Sequence, residues 1–338
     1  MTTLRPLYAK CESAGDVSNV WFAMSNVRVL FLGASRLVGL LRRFVGAASE
    51  VAVNLEMFSI ENDARWHAIA AAGLAITVPG PAFSHSEFQP WLLEKVREYE
   101  IDIVIPNIDS ATVALSRVAE KLGEIGILAM VSDHEVCESM ADKAKSDGVF
   151  RALGLRVPDG ESYPLLAKPR FGASSRGIAT LNDATELAFW RRRNRSEEFF
   201  FQPFVEGREF SLDAYVDGTG RTLGIVSRER IVVSGGEAMV TRTEHQHEAI
   251  AMVERLLRWK RWFGPLTVQV IDDGQQVWLL ECNPRFGSGV TCSIEAGLRA
   301  PEWILSERLG LPLPKEPITW HDGLCLTRSR EDHFLWLS

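Results

Sequence analysis

Between residues 26 and 132 the chain alternates without a break between short apolar runs and segments of helical period. "NVRVLFLGAS" (26–35) reads as a strand and "RLVGLLRRFV" as the helix after it. "EVAVNLEM", "AITVPG", "IDIVIPNID" and "ILAMVS" follow as strands. Between them lie "DARWHAIAAAG", "SEFQPWLLEKVREYE" (a helix entered through Ser86) and "SATVALSRVAEKLGEIG". Strands separated by helices cannot pair through tight hairpins. They run parallel, and the crossovers cover both faces of the sheet. The alternation therefore predicts an N-terminal parallel βα domain over residues 26–132.

After residue 132 the pattern changes. "DHEVCESMADKAKSDGVFRALGL" reads as largely helical, "VPDGESYP" as turns, "LLAKP" and "IATL" as short strands, and "DATELAFWRRRN" as a helix entered through Asp183. From 199 to 281 strands dominate, interrupted by one helix, "EAIAMVERLLRWKRWF" (248–263). Asp273-Gly274 marks a hairpin turn within "LTVQVIDDGQQVWLLE". The class is α/β, with an α+β second part.

A net charge of −7 argues against a general nucleic-acid binder, although a local basic cluster can still hold a polyanion. Five cysteines, at 11, 137, 282, 292 and 325, form no CxxC pair and are odd in number. That fits reduced cytosolic thiols better than a disulfide framework or a zinc site. No apolar run is long enough to span a membrane, and the N-terminus lacks the order of a signal peptide. The expected location is cytoplasmic. Residues 1–25 show no period, and Met24 directly precedes the first strand. They read either as a disordered extension, with Met24 the natural start, or as a short docked segment.

Three stretches carry chemistry. The run Val277 to Leu280 ends in Glu281, and in an extended chain Asn283 shares the Glu281 face. The hairpin turn brings Gln269 close. One carboxylate and two amides suit a hard cation such as Mg²⁺, with Mn²⁺ the alternative, that shares its shell with substrate phosphates. The same letters would also cap a hairpin end. In "LLAKPRFGASSRG" (165–177), Lys168 ends a strand and a glycine-serine loop follows. Backbone N–H groups there can converge on phosphate, Gly172 permits close approach, and Ser174, Ser175 and Arg176 add donors. A flexible turn is the plainer alternative. In "FFFQPFVEGREFSLD" (199–213), an apolar strand ends at Gln202, Pro203, Phe204 and Val205, and Glu209 follows. An adenine needs an apolar slot with backbone partners, here the Pro203 C=O and the Val205 N–H, and a ribose needs a carboxylate. A core strand and hairpin would look alike.

Taken in order, Asp142-Lys143, Lys168-Pro169 with Gly172 to Gly177, Gln202 to Glu209, Gln269, "ECNPR" (281–285) and the "FGSGVT…EAG" of 286–297 resemble the ATP-grasp superfamily. The likeness is nearest to its carbamoyl-phosphate-synthetase-like branch and covers about 130 to 315. It implies a two-lobed ATP-grasp domain over 133–330, with a small lobe at about 133–200 and a large lobe at about 201–330. It implies that Lys143 and Lys168 hold the phosphates of ATP beneath a mobile loop, residues 172–177, and that 203–205 form the adenine hinge. By the same resemblance Glu209 binds ribose, Gln269, Glu281 and Asn283 hold one or two Mg²⁺, and Arg285 stabilises the acyl phosphate and the transferred phosphoryl group. Two departures stand out. The hinge position that is usually acidic is Pro203, and the span from Val157-Pro158 to Lys168 is short, which implies a trimmed small lobe.

The expected function is an ATP-dependent ligase joining a carboxylate to an amine through an acyl phosphate. Within "SRERIVVSGGEAMVTRTEH" (227–245), Arg230 and Arg242 are candidates for a substrate carboxylate and Glu237 for an ammonium. Arg230 joins Arg285 and Lys168 as a catalytic candidate. The segment reads equally as a surface hairpin with a solvated charge row. "GASR" (33–36) and "NIDS" (107–110) end successive parallel strands, where ligands bind. Asp109 there either holds an amino group or caps a helix. His245 and His247 read as surface residues. The expected partners are a small acid and a small amine, not nucleic acid or membrane; a homodimer is left open. A dinucleotide-binding reading of "FLGASRLVG" fails on the glycine spacing and on the lack of an acid closing the second strand. An ATP-binding regulatory or partner module without turnover is the alternative.

Overall fold

The computed structural model describes residues 25–61, 68–172, 177–195, 198–329 and 331–334. The readings of the N-terminal extension and of Met24 fall outside these residues.

Strands β1 (Asn26–Leu32), β2 (Asn54–Glu61), β3 (Ile76–Pro79), β4 (Ile103–Pro106) and β5 (Leu128–Ala129) form one sheet in the order β3-β2-β1-β4-β5. Every pair in it is parallel, as the alternation predicts. Helices α1 (Val38–Glu50), α2 (Ala68–Ala71), α3 (Phe88–Glu98), α4 (Asp109–Ser116) and α5 (Ala119–Glu124) lie in the connections. Successive residues of β1 point to opposite faces. Val27, Val29 and Phe31 pack with Leu41 and Phe44 of α1, whereas Leu30 and Leu32 pack with Leu92 of α3 and Leu115 of α4. Several expected boundaries shift, and the second strand runs over Asn54–Glu61 rather than over "EVAVNLEM" (50–57). The third helix begins at Phe88 behind Glu87 rather than at Ser86, and the helix expected over 110–126 is divided into α4 and α5.

Helices α6 (His134–Ala141) and α7 (Lys143–Ala152) replace the single helical stretch expected there. The break is Asp142, which is extended (φ −107°, ψ 110°) and accepts hydrogen bonds from the Ala144 and Lys145 N–H groups. An aspartate competes with the helix for backbone donors, so it starts a new helix instead of continuing the old one. A small antiparallel sheet follows: β6 (Leu165–Pro169), β7 (Ala179–Leu181) and β8 (Phe199–Pro203), in the order β7-β6-β8. Helix α8 (Ala184–Arg193) is capped by Asp183, as the sequence indicates.

The large sheet contains β9 (Arg208–Val216), β10 (Thr222–Ser234), β11 (Glu237–Thr243), β12 (Gly264–Asp272), β13 (Val277–Asn283) and β14 (Cys325–Thr327), in the antiparallel order β13-β12-β9-β10-β11-β14. Strand β14 has no counterpart in the sequence reading. Helix α9 (His247–Leu256) precedes β12, and α10 (Val290–Glu295) and α11 (Ala300–Leu309) follow β13. One face of the sheet, including Phe210, Leu212, Ala214, Val268, Val270 and Leu279, is buried with Val253 and Leu256 of α9 and Phe150 of α7. A second core joins this sheet to the parallel one: Phe44 of α1, Phe286, Tyr215 of β9 and Trp303 of α11 share it. Among the described residues no helix is long and apolar enough to cross a membrane.

Candidate active site

The face of the large sheet opposite α9 forms the floor of a cleft of about 1740 Å³. Strand alternation sets what lies on it. On β9 the even positions Phe210, Leu212 and Ala214 enter the core, which leaves Glu209, Ser211 and Asp213 on the other face. The register then lines up polar residues across four strands. Asn283, Thr267 and Asp213 are neighbours in one row. Glu281, Gln269, Ser211 and Arg228 form the next. In the third row Glu209 bonds Arg230, whose Nε donates to its Oε2 at 2.9 Å.

Glu281 reaches this face through a bulge. Val270 pairs with Leu279 and Gln269 with Glu281, so Leu280 is an extra residue on β13. With strict alternation, Glu281 would follow Leu279 onto the core face. The extra residue turns Glu281 and Asn283 into the cleft while Leu279 and Cys282 stay buried.

Beneath the second row the Arg228 and Asp213 side chains, each 1% exposed, form an ion pair, with Arg228 Nε donating to Asp213 Oδ2 at 2.8 Å. Thr267 Oγ1 and Ser293 Oγ each donate to the same carboxylate at 2.6 Å. Such a pair is tolerable only when its remaining lone pairs are filled, as they are here. The 286–291 segment lies directly over this network. A Cβ on Gly287 would sit 2.6 Å from Thr267 Oγ1, and one on Gly289 would collide with the Arg228 guanidinium. The glycines after "ECNPR" therefore allow that segment to lie flat on the floor.

A chain of hydrogen bonds runs along the edge of the floor. Asn283 Nδ2 donates to Glu281 Oε1 at 3.0 Å, Arg285 Nη2 donates to Asn283 Oδ1 at 3.3 Å, and Arg285 Nε donates to Asp109 Oδ1 at 2.6 Å. The donor set fits a hard divalent cation: Glu281 supplies the carboxylate, and Gln269, directly opposite it, an amide oxygen. For Asn283 to contribute its own oxygen its amide must turn, which releases both the Glu281 and the Arg285 bonds.

The small sheet forms the opposite wall. Lys168 Nζ, at the end of β6, donates to Gln202 Oε1 of β8 at 2.8 Å. Burial pushes its ammonium below the ordinary lysine range; Glu281 and Glu209 across the cleft oppose that shift, and Lys143 adds to it. Lys143 is the first residue of α7, and its Nζ donates to the Gly172 carbonyl at 2.9 Å. Arg170 locks this wall to α7. Its Nε and Nη2 both bond the Asp142 carboxylate at 2.8 Å, and its Nη1 bonds Glu198 at 2.7 Å. Burial works to raise the Asp142 carboxyl, but hydrogen bonds from Arg170 and from the Lys145 and Ala144 N–H groups outweigh it and hold the group below its usual range.

The structure gathers Lys143, Lys168, Gly172, Gln202 to Val205, Glu209, Gln269, Glu281, Asn283, Arg285, Arg230, Glu237 and Asp109 around one cleft. Ser174 and Ser175 lie outside the described residues. The Phe204 N–H is engaged by the Pro164 carbonyl at 2.8 Å, which leaves the flanking hinge positions for a base. Four expectations change. Arg242 is not in the cleft: on β11 the buried neighbour Thr241 faces inward, and Arg242 turns outward to Glu229 and Glu244. Asp109 neither caps α4, whose N-cap is Ile108, nor stands apart as a ligand for an amine; it pairs with Arg285. Glu237 is met by Arg328 at 3.1 Å, and Arg230 by Glu209 and the Gly236 carbonyl. Glu61 ends β2, is buried, and accepts a hydrogen bond from Ser59, so an acid does close the second strand. It serves the Gly33–Ser35 turn, bonded by Ser35 and by the Ala34 N–H. Sequence reading missed Arg228, Ser211, Asp213 and Thr267, although the polar-apolar alternation of "FSLDA" and "LTVQV" carries that signal. It also missed Arg328, which follows the three-residue β14.

A family model described as "ATP-grasp in the biosynthetic pathway with Ter operon" matches residues 195–329. The carbamoyl phosphate synthase large chain of Clostridium botulinum (strain Loch Maree / Type A3) is 23% identical over an alignment of 179 residues that covers 47% of this chain and 17% of that protein. This chain thus spans only a small part of that relative. The N5-carboxyaminoimidazole synthetase of Staphylococcus aureus, solved with ADP, superposes with a TM-score of 0.68 at 16% identity, covering 88% of this chain and 80% of that one. The biotin carboxylase domain of the Hydrogenobacter thermophilus 2-oxoglutarate carboxylase, solved with MgADP, ADP and bicarbonate, gives a TM-score of 0.67 at 17% identity, covering 86% and 71%. The chain thus has the fold of these two solved structures, its residues 195–329 match the Ter-operon ATP-grasp family model, and it bears distant similarity to carbamoyl phosphate synthase.

Proposed function

We propose that this protein is an ATP-dependent carboxylate–amine ligase that forms an amide through an acyl phosphate, acting on amino acids or a small metabolite. The observation that carries this reading is the opposition of two unlike walls across one cleft. Lys143 and Lys168 lie on one side, and Glu281, Gln269, Asn283 and Arg285 on the other. A lysine in the first turn of a helix works against the helix dipole, so Lys143 is placed for an outside anion.

In this scheme the substrate carboxylate oxygen attacks the γ-phosphorus of ATP, the bond to the ADP oxygen breaks, and ADP carries the electron pair away. The amine then attacks the acyl carbon, phosphate departs and the nitrogen loses a proton. Lys168 and Lys143 hold the triphosphate, Glu209 meets the ribose, and Arg285 faces the transferred phosphoryl group. A divalent cation held by Glu281, Gln269 and Asn283 would neutralise phosphate charge. These residues act by positioning and by fixed charge, which is most of what phosphoryl transfer demands. The 284–289 segment and the small sheet shield the acyl phosphate from water.

Phosphate release measured against pooled acids and amines, with mass spectrometry of the products, tests the reading. The expected result is release that requires both an acid and an amine and yields their condensed mass. Nucleotide binding without release under every pairing would instead support an ATP-binding partner module. The small three-stranded sheet and Pro203 at the hinge are the features that favour that second reading.

A further inference from the structure

We propose that Asp109, at the corner between β4 and α4, is a positioning residue for Arg285, so that the arginine facing the transferred phosphoryl group is oriented from outside the two-lobed fold. This deepens the ligase reading and rests on it. Asp109 sits beside β1 at the carboxyl end of β4, where the strand order β3-β2-β1-β4-β5 changes direction. It is the first residue of α4 yet makes no capping bond, because the N-cap position belongs to Ile108. Its carboxylate reaches instead across 176 residues of sequence to Arg285 Nε at 2.6 Å, with the two side chains 22% and 14% exposed.

A guanidinium is planar, so fixing Nε with a charge-assisted bond fixes the direction of the whole fork. The other contacts of Arg285 are weaker in kind: the Phe286 carbonyl at 3.1 Å and the neutral Asn283 amide at 3.3 Å. The Asn283 bond is also the one that must break when Asn283 turns its oxygen toward a cation. Asp109 is then the side chain that still holds Arg285, and the Nη edge is left to face phosphate. The parallel domain thereby completes the site, and its docking becomes a condition for catalysis.

The test uses the full chain in four forms: wild type, Asp109→Asn, Arg285→Lys and the double variant. The first readout is the Arg285 Nε–H NMR signal, assigned by its loss in Arg285→Lys; it needs no turnover. A sharp, slowly exchanging signal is expected in the wild type, broadened in Asp109→Asn. The second is steady-state kinetics with the acid–amine pair that phosphate release identifies. Asp109→Asn is expected to lower kcat by about 10²-fold, the usual effect of a misplaced catalytic group. KM for ATP should stay within about twofold, and the double variant should be no worse than Arg285→Lys, because residues acting as a unit do not add. An unchanged Nε–H signal in Asp109→Asn overturns the proposal. So do additive losses, or a defect confined to KM for the amine. If no pair is turned over but the signal behaves as expected, the ligase reading fails and the positioning role stands.

Discussion

The two walls of the cleft are built on different terms. The floor is a six-stranded sheet whose back is covered by α9 and α7 and whose polar face is pinned by the fully buried Arg228–Asp213 pair. The opposite wall is a three-stranded sheet whose buried core is Leu165, Ala167 and Leu181, and its helix α8 buries no residue. What ties that wall down is ionic: Arg170 to Asp142 and Glu198, and Lys143 to the Gly172 carbonyl. A region with so little apolar burial opens at low free-energy cost, whereas a densely packed sheet opens only with global unfolding. In the proposed function the cation ligands thus lie on the rigid wall, and the lysines that would hold phosphate on the loose one.

The sharpest way to break that contrast is to shift the register of β13 by one residue after its bulge. Inserting an alanine between Leu280 and Glu281 moves Glu281 by one position into the slot that Cys282 fills on the core face, where an unpaired carboxylate costs about 3–5 kcal/mol. We expect loss of both folding yield and cation-dependent nucleotide binding, read by thermal melting and by fluorescent-nucleotide titration. Glu281→Gln should keep the fold and the melting temperature but abolish turnover; retained turnover would count against Glu281 as the cation's carboxylate. Asp213→Ala leaves the buried Arg228 guanidinium without its carboxylate and should destabilise the protein by about 3–5 kcal/mol in urea titrations. Arg170→Ala should leave the global melt nearly unchanged. It should speed amide exchange across 165–203 and raise KM for ATP, whereas a large loss of global stability would erase the distinction between the walls. Arg242→Ala, outside the cleft, should leave kcat and KM as they are, and any defect would move the substrate site to the outer face.

The parallel sheet was legible because its alternation is long and each strand is flanked by helical period. The β12–β13 hairpin was legible through Asp273-Gly274, with Gly274 at φ 87°. What escaped had short or non-local causes. The break at Asp142 looked helical because its neighbours have helical period, and a single capping carboxylate decided it. The bulge at Leu280 hides in a uniformly apolar "VWLL", where letters carry no register. The Asp109–Arg285 pair joins elements with no local signal for each other. Arg242 and Arg230 look equivalent in sequence, and only strand pairing separates the inward one from the outward one.

The central claim is that a divalent cation at the Glu281 end of β13 pins a triphosphate between the rigid floor and the loose wall. The direct measurement is anomalous scattering from Mn²⁺ in crystals grown with a non-hydrolysable ATP analogue. The account predicts a peak within about 2.0–2.6 Å of a Glu281 carboxylate oxygen, the range for hard-cation oxygen ligands, with the phosphates reaching Lys168 and Lys143. Manganese bound away from Glu281, or a triphosphate that touches neither lysine, would contradict it.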